Sequence, residues 1–202
     1  MMRLTETVKH LILINVLVFF AIAGLVQAGV TIPRLEIYFP TSQYFRPYQL
    51  VTSIFSHADF SHLFFNMLML FFMGPIVEQR LGNKKFLFLY LAAGIFANLF
   101  AWLFGYGFYE LGLSMTDPER VRALGASGAV FGIIGAFGML FPNMEVMLLI
   151  PPMPIKGKYL AIGLIVFGLF MDFGGNTGHL AHIGGAIFGY LIVNYWKKKY
   201  LI

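Results

Sequence analysis

One serine, two histidines and one asparagine, drawn from three apolar stretches, are the residue types that acyl transfer requires. Ser127 lies in "LGASGAVFGI" (124–133), His182 in "GHLAHIGGAIFGY" (178–190), and His62 and Asn66 in "SHADFSHLFFNM" (56–67). A serine hydroxyl becomes a competent nucleophile when a base takes its proton, and a neutral imidazole is the usual base. Attack on a carbonyl develops an oxyanion, which side chains of His and Asn stabilise beside a backbone N–H. Ser127 as nucleophile, His182 as base, and His62 with Asn66 as donors fill these roles. His62 and Asn66 are four apart and so share one helix face. Gly125 and Gly128 would let a substrate backbone approach the serine. Gly184, Gly185 and Gly189 would let one helix pack closely on another and bring His182 to Ser127.

Each residue also has a plainer reading. Ser127 with Gly128 and Gly132 fits small-residue helix packing, and His62 or His182 alone could be an interhelical hydrogen-bonder. What separates the readings is where the elements place them. Of the 202 residues, 59% are hydrophobic and 11% charged, with a mean hydropathy of +0.78. Soluble domains carry about 45–50% apolar and about 25% charged residues, so the expectation is an all-α, polytopic membrane protein. No cysteine is present, which excludes disulfides, thiolate metal sites and cysteine nucleophiles. The net charge of +5 comes from basic residues at the ends of apolar segments, not from a soluble patch, so no nucleic acid partner is expected.

Six spans are expected at about residues 11–28, 60–80, 86–106, 126–141, 159–173 and 178–196, as one membrane domain over 1–202. The first could pass for a signal peptide, yet a retained helix is favoured because five spans follow. Six spans put both termini on one side. Ten of the 14 Lys and Arg residues then share that side: Arg3, Lys9, Arg80, Lys84, Lys85, Lys156, Lys158 and Lys197 to Lys199. The positive-inside rule makes both termini cytoplasmic. Ser127, His62, Asn66 and His182 would then lie at one depth near the outer face, where a polar residue within a span reads as functional. The fourth span, stopped at Pro142, covers about 22 Å against roughly 30 Å of hydrocarbon, which sinks Ser127 below the outer interface in a first turn favouring an anion. No acidic residue falls inside the outer half of a span, so a Ser-His dyad is expected, with Asp172 the one candidate third member.

These motifs resemble the rhomboid family of intramembrane serine proteases. "GASG" at 125–128 is similar to its G-x-S-G nucleophile motif, "AHIGG" at 181–185 to its A-H-x-G-G histidine motif, and "HADFSHLFFN" at 57–66 to its H-x-x-x-x-H-x-x-x-N pattern. "GPIVEQRLG" at 74–82 resembles its G-x-x-x-E-x-R-x-G stretch, which implies structural roles for Glu78 and Arg80. The resemblance covers residues 8 to 196 in order. It implies a six-helix rhomboid-like bundle in the cell membrane, opening to the outer face. It also implies hydrolysis of a peptide bond in or beside a substrate's transmembrane segment, with oxyanion roles for His62 and Asn66 and support from Gly125, Gly128, Phe131 and Gly185. No cofactor and no metal are implied. Phe45-Arg46 stands where the family often has Trp-Arg, and Phe131 where some members have a tyrosine beneath the histidine; its ring should still stack. His57 is expected to make a loop-fixing hydrogen bond, and His179 to be incidental. The region before the fifth span's end and the segment "DFGGNT" (172–177) are candidates for a mobile gate. The rival readings are a histidine metal site, which lacks an H-E-x-x-H motif, a transporter, which lacks apparent inverted repeats, and a catalytically silent rhomboid-like binding or quality-control protein. The last usually lacks the Ser or the His, and both stand here. The substrate and the oligomeric state are not legible.

Overall fold

The computed structural model describes residues 4–114, 117, 122–148, 152–171 and 176–200. In chain order these form α1 (Glu6–Gln27), β1 (Ile37–Tyr38), α2 (Gln49–Thr52), a 3-10 turn (Ser53–Phe55), α3 (Phe60–Leu81), α4 (Asn83–Glu110), β2 (Arg122–Ala123), α5 (Ser127–Leu140), β3 (Glu145–Met147), β4 (Pro154–Lys156), α6 (Gly157–Met171) and α7 (Asn176–Tyr200). The protein is a helical membrane bundle. Three helices, α1, α3 and α4, are long and apolar enough to cross a bilayer, and α5 and α6 are shorter apolar helices. Two antiparallel strand pairs interrupt the all-α pattern. Ile37 and Tyr38 pair with Ala123 and Arg122, and Glu145 to Met147 pair with Lys156 to Pro154.

The bundle is built around α5. It is apolar on every face, and Gly128 through Phe137 are all buried, as a helix hydrophobic all round should be. It packs against α3, α4, α6 and α7. Large apolar side chains such as Leu17, Phe20, Phe65, Phe88, Leu103, Phe167 and Phe170 stay exposed on the outer helices. In a soluble protein so much exposed apolar surface would be a liability; here it is the face that meets lipid.

Helix boundaries differ from the hydropathy reading for local reasons. Helix α1 starts at Glu6 because Glu78 of α3 caps it: Glu78 accepts from the Thr5 hydroxyl at 2.5 Å, the Thr7 N–H at 3.0 Å and the Val8 N–H at 2.9 Å. Asn15 adds a buried bond from its Nδ2 to the Tyr90 hydroxyl on α4, at 3.3 Å, so α1 is integral to the bundle. The expected connection between the second and third spans, residues 81–85, is almost wholly helical. Only Gly82 separates α3 from α4, with φ +78°, a conformation that glycine adopts without a steric penalty. Helix α3 also runs through Pro75, a proline that membrane helices tolerate.

Candidate active site

Ser127 is the first residue of α5, and the turn before it is held at two amides. The Gly125 N–H donates to the Ser53 carbonyl at 2.8 Å, and the Ala126 N–H to His57 Nε2 at 3.4 Å. Gly125 sits at φ +121°, which disfavours any side chain there. Intrahelical bonding in α5 begins with the Val130 N–H, which donates to the Ala126 carbonyl at 2.9 Å. The Ser127 N–H therefore belongs to the first turn, at the positive end of the helix dipole.

Helix α7 presents His182 to this face. The two helices meet backbone to backbone: a Cβ on Gly185 would overlap the Gly128 carbonyl oxygen and lie 2.9 Å from its carbon. One on Gly189 would overlap the Gly132 carbonyl oxygen in the same way. Contact this close lays the buried His182 ring flat on Phe131, with centroids 4.1 Å apart and planes 5° from parallel. Phe131 is one turn after Ser127 on the same face of α5. The imidazole is thus held beside the face of α5 on which Ser127 lies. Among the described residues Glu78 is the one buried carboxylate, and it is engaged by α1. Asp172 and the start of the candidate gate, residues 172–175, lie outside the described residues.

Helix α3 brings the third set of groups. Asp59 caps it by accepting from the His62 N–H at 2.8 Å, and this starts the helix so that His62 falls in the first turn. The His62 ring lies against the serine turn: a Cβ on Gly125 would sit 2.6 Å from its Cε1 and 2.7 Å from its Nε2. Asn66 is buried, and its Nδ2 donates to the His62 carbonyl at 2.9 Å, which uses one of two amide hydrogens. Gly125, Gly128, Phe131 and Gly185 all lie in this assembly. Glu78 and Arg80 do not; Glu78 caps α1, and Arg80 is exposed in the last turn of α3. The Phe45 ring packs edge-on to Trp102, with centroids 5.6 Å apart, so the first loop is seated on α4. Among the described residues no group of three or more His, Cys, Asp or Glu could hold a metal ion.

Sequence reasoning missed Ser53, whose backbone carbonyl holds Gly125, and Asn98, whose Nδ2 donates to the Ser53 hydroxyl at 3.2 Å. His57 is the loop-holding histidine at Ala126, and its ring meets the His62 ring edge-on, centroids 5.2 Å apart. Burial first, and the neighbouring His62 second, push His57 down from 6.5 to about 4, against smaller opposing pulls from the Phe55 backbone and Asp59. An Nε2 acceptor requires the neutral ring. A histidine held low in the fold keeps its full contribution above its unfolded value and loses it as pH falls toward the folded one. Wild-type stability should therefore fall between about pH 6.5 and pH 4, by as much as about 3 kcal/mol from this group. His57→Gln, whose amide oxygen accepts the same N–H without titrating, should show a shallower fall. Denaturation midpoints in detergent across that window measure both, and equal slopes would refute the assignment.

A family model described as the Rhomboid domain matches residues 44–198. A rhomboid relative from Bacillus subtilis, YdcA, is 32% identical over 160 residues, 76% of this chain and 71% of that protein. Rhomboid protein 1, mitochondrial, of Saccharomyces cerevisiae is 34% identical over 159 residues, 74% of this chain and 42% of that protein. Rhomboid protease AarA of Providencia stuartii is 34% identical over 150 residues, 69% and 52% of the two chains. The chain spans about half the length of the last two.

Proposed function

Because the chain belongs to the rhomboid family, we propose that it is an intramembrane serine protease that hydrolyses a peptide bond in or next to a transmembrane segment of its substrates. The observation that carries this reading is the His182 ring stacked on Phe131, one turn from Ser127. Ser127 Oγ attacks the scissile carbonyl carbon while His182 takes the hydroxyl proton. The oxyanion is met by the Ser127 N–H, by His62 and by the second amide hydrogen of Asn66. His182 returns the proton to the leaving amine as the C–N bond breaks. Water, deprotonated by His182, then attacks the acyl-serine, releases the acid and restores the hydroxyl.

In this reading residues 1–202 form one membrane domain with six crossings, both termini cytoplasmic, in the cell membrane. The site opens toward the outer face, because Ser127, His62 and His182 all lie near one end of their helices. A helix in lipid hides its carbonyls in hydrogen bonds, so preferred substrates should carry helix-weakening Gly or Pro near the cut.

The test is cleavage of single-span model substrates in liposomes by wild type, Ser127→Ala and His182→Ala. Wild type should cut, and each variant should lose at least about 10³-fold in kcat. Failure of wild type across a broad substrate panel, together with no labelling of Ser127 by a fluorophosphonate, would favour a silent binding protein. Cutting by both variants at the wild-type rate would refute the site.

A further inference from the structure

We infer that Asn98 is a positioning residue for the nucleophile, acting through Ser53 on the turn that carries Ser127. The inference rests on the protease reading and deepens it. Asn98 is an amide inside the 28-residue, largely apolar α4, where a polar side chain is costly unless it is partnered. Its partner is the hydroxyl of Ser53, which is 1% exposed and lies at 3.2 Å. The carbonyl of the same Ser53 accepts the Gly125 N–H at 2.8 Å and the Ser56 N–H at 3.3 Å. One residue of the 3-10 turn therefore joins α4 on its side-chain oxygen to the serine turn on its backbone oxygen.

The surrounding packing makes this a rigid linkage. A Cβ on Gly94 would lie 2.6 Å from Ile54 Cδ1, and one on Gly128 would lie 2.5 Å from the Ala97 Cβ. Gly94, Ala97 and Asn98 are spaced to share one face of α4. That face meets both the 3-10 turn and the first turn of α5. Gly125 in turn is pressed against the His62 ring. The height of the Gly125 peptide thus sets Ser127 against His62, and Asn98 holds that height through Ser53. Without the Asn98 amide, the Ser53 hydroxyl loses its tie to α4, and the carbonyl that holds Gly125 is free to tilt.

The prediction is a loss in the chemical step. Asn98→Ala and Ser53→Ala should each lower kcat, and the rate at which a fluorophosphonate labels Ser127, by about tenfold with KM unchanged, because small misplacements of reacting groups are costly. The double variant should be no slower than the slower single variant, since both remove one linkage. Hydrogen exchange at the Gly125 amide should speed up by about tenfold in each; this readout needs no catalysis. Ser53→Ala removes a single oxygen and keeps the inference testable if Asn98→Ala does not fold. Unchanged Gly125 exchange would overturn the inference whatever the rates do. Faster exchange with undiminished Ser127 labelling would overturn it as well, as would losses in the double variant equal to the product of the singles. A wild type that neither cuts nor labels, but whose Gly125 exchange still responds to Asn98, would sink the protease reading and leave the anchor standing.

Discussion

Gly185→Ala is expected to abolish turnover, with a loss in kcat of at least about 100-fold. The added Cβ would overlap the Gly128 carbonyl oxygen, one residue past Ser127, the proposed nucleophile. Neither backbone can yield locally, because each lies within a continuous helix, so α5 and α7 must separate. His182 is three residues earlier on α7 and moves with it, away from Ser127. Overpacking at a tight contact also destabilises, typically by about 1–3 kcal/mol. Gly163→Ala on α6 is the control, since nothing lies within 4 Å of a Cβ there; it should cut like wild type. The kcat on a single-span substrate and the unfolding midpoint, measured together, separate misplacement from unfolding. A Gly185→Ala protein within twofold of wild type would mean the helices do not meet at that point.

Glu78→Ala is expected to give the largest loss of stability, about 3 kcal/mol or more. Glu78 accepts three hydrogen bonds from the start of α1, two of them from backbone amides that α1 cannot satisfy itself. The Thr5 side chain makes no capping bond to its own helix. Removing the carboxylate strands those donors, while Glu78→Gln keeps an acceptor and should lose less. Arg80→Ala, at an exposed position two residues on, should stay within about 0.5 kcal/mol of wild type. Unfolding midpoints in detergent give the ranking, and exchange at the Thr7 and Val8 amides locates the change. Equal midpoints for Glu78→Ala and Arg80→Ala would refute the cap.

Much of this was legible in the sequence because bilayers impose long apolar periods and make polar exceptions conspicuous. Ser127, His62, Asn66 and His182 stood out among apolar neighbours; in the fold the His62 ring lies against Gly125, the His182 ring lies on Phe131, and Asn66 bonds to the His62 carbonyl. Hydropathy could not show that Glu78 reaches across to cap α1, since a cap between helices leaves no local spacing. Nor could it show the β1–β2 pairing, whose two short strands lie far apart in the chain. Ser53 was invisible for a different reason: its hold on Gly125 is made by a carbonyl that every residue has, and its hydroxyl gains meaning only beside Asn98. Asn98 carried a visible signal, a polar residue in an apolar helix, but its meaning depends on a partner 45 positions away. Phe131 was readable as a ring at the right spacing. The flatness of its stack on His182 follows from glycine contacts that only the folded chain defines.

In the proposed protease reading, the glycine seam between α5 and α7 also sets when during synthesis the site forms. In that reading the proposed nucleophile, Ser127, leaves the ribosome well before α7, and until α7 docks on Gly128 and Gly132 it lacks its proposed base, His182. The docking of α7 on α5 is also the step that would bring the proposed base to the proposed nucleophile. A nascent chain threading through the insertion machinery, among other half-folded membrane proteins, would then be unarmed. A chain stalled before α7 would, in the same reading, carry the serine without its base.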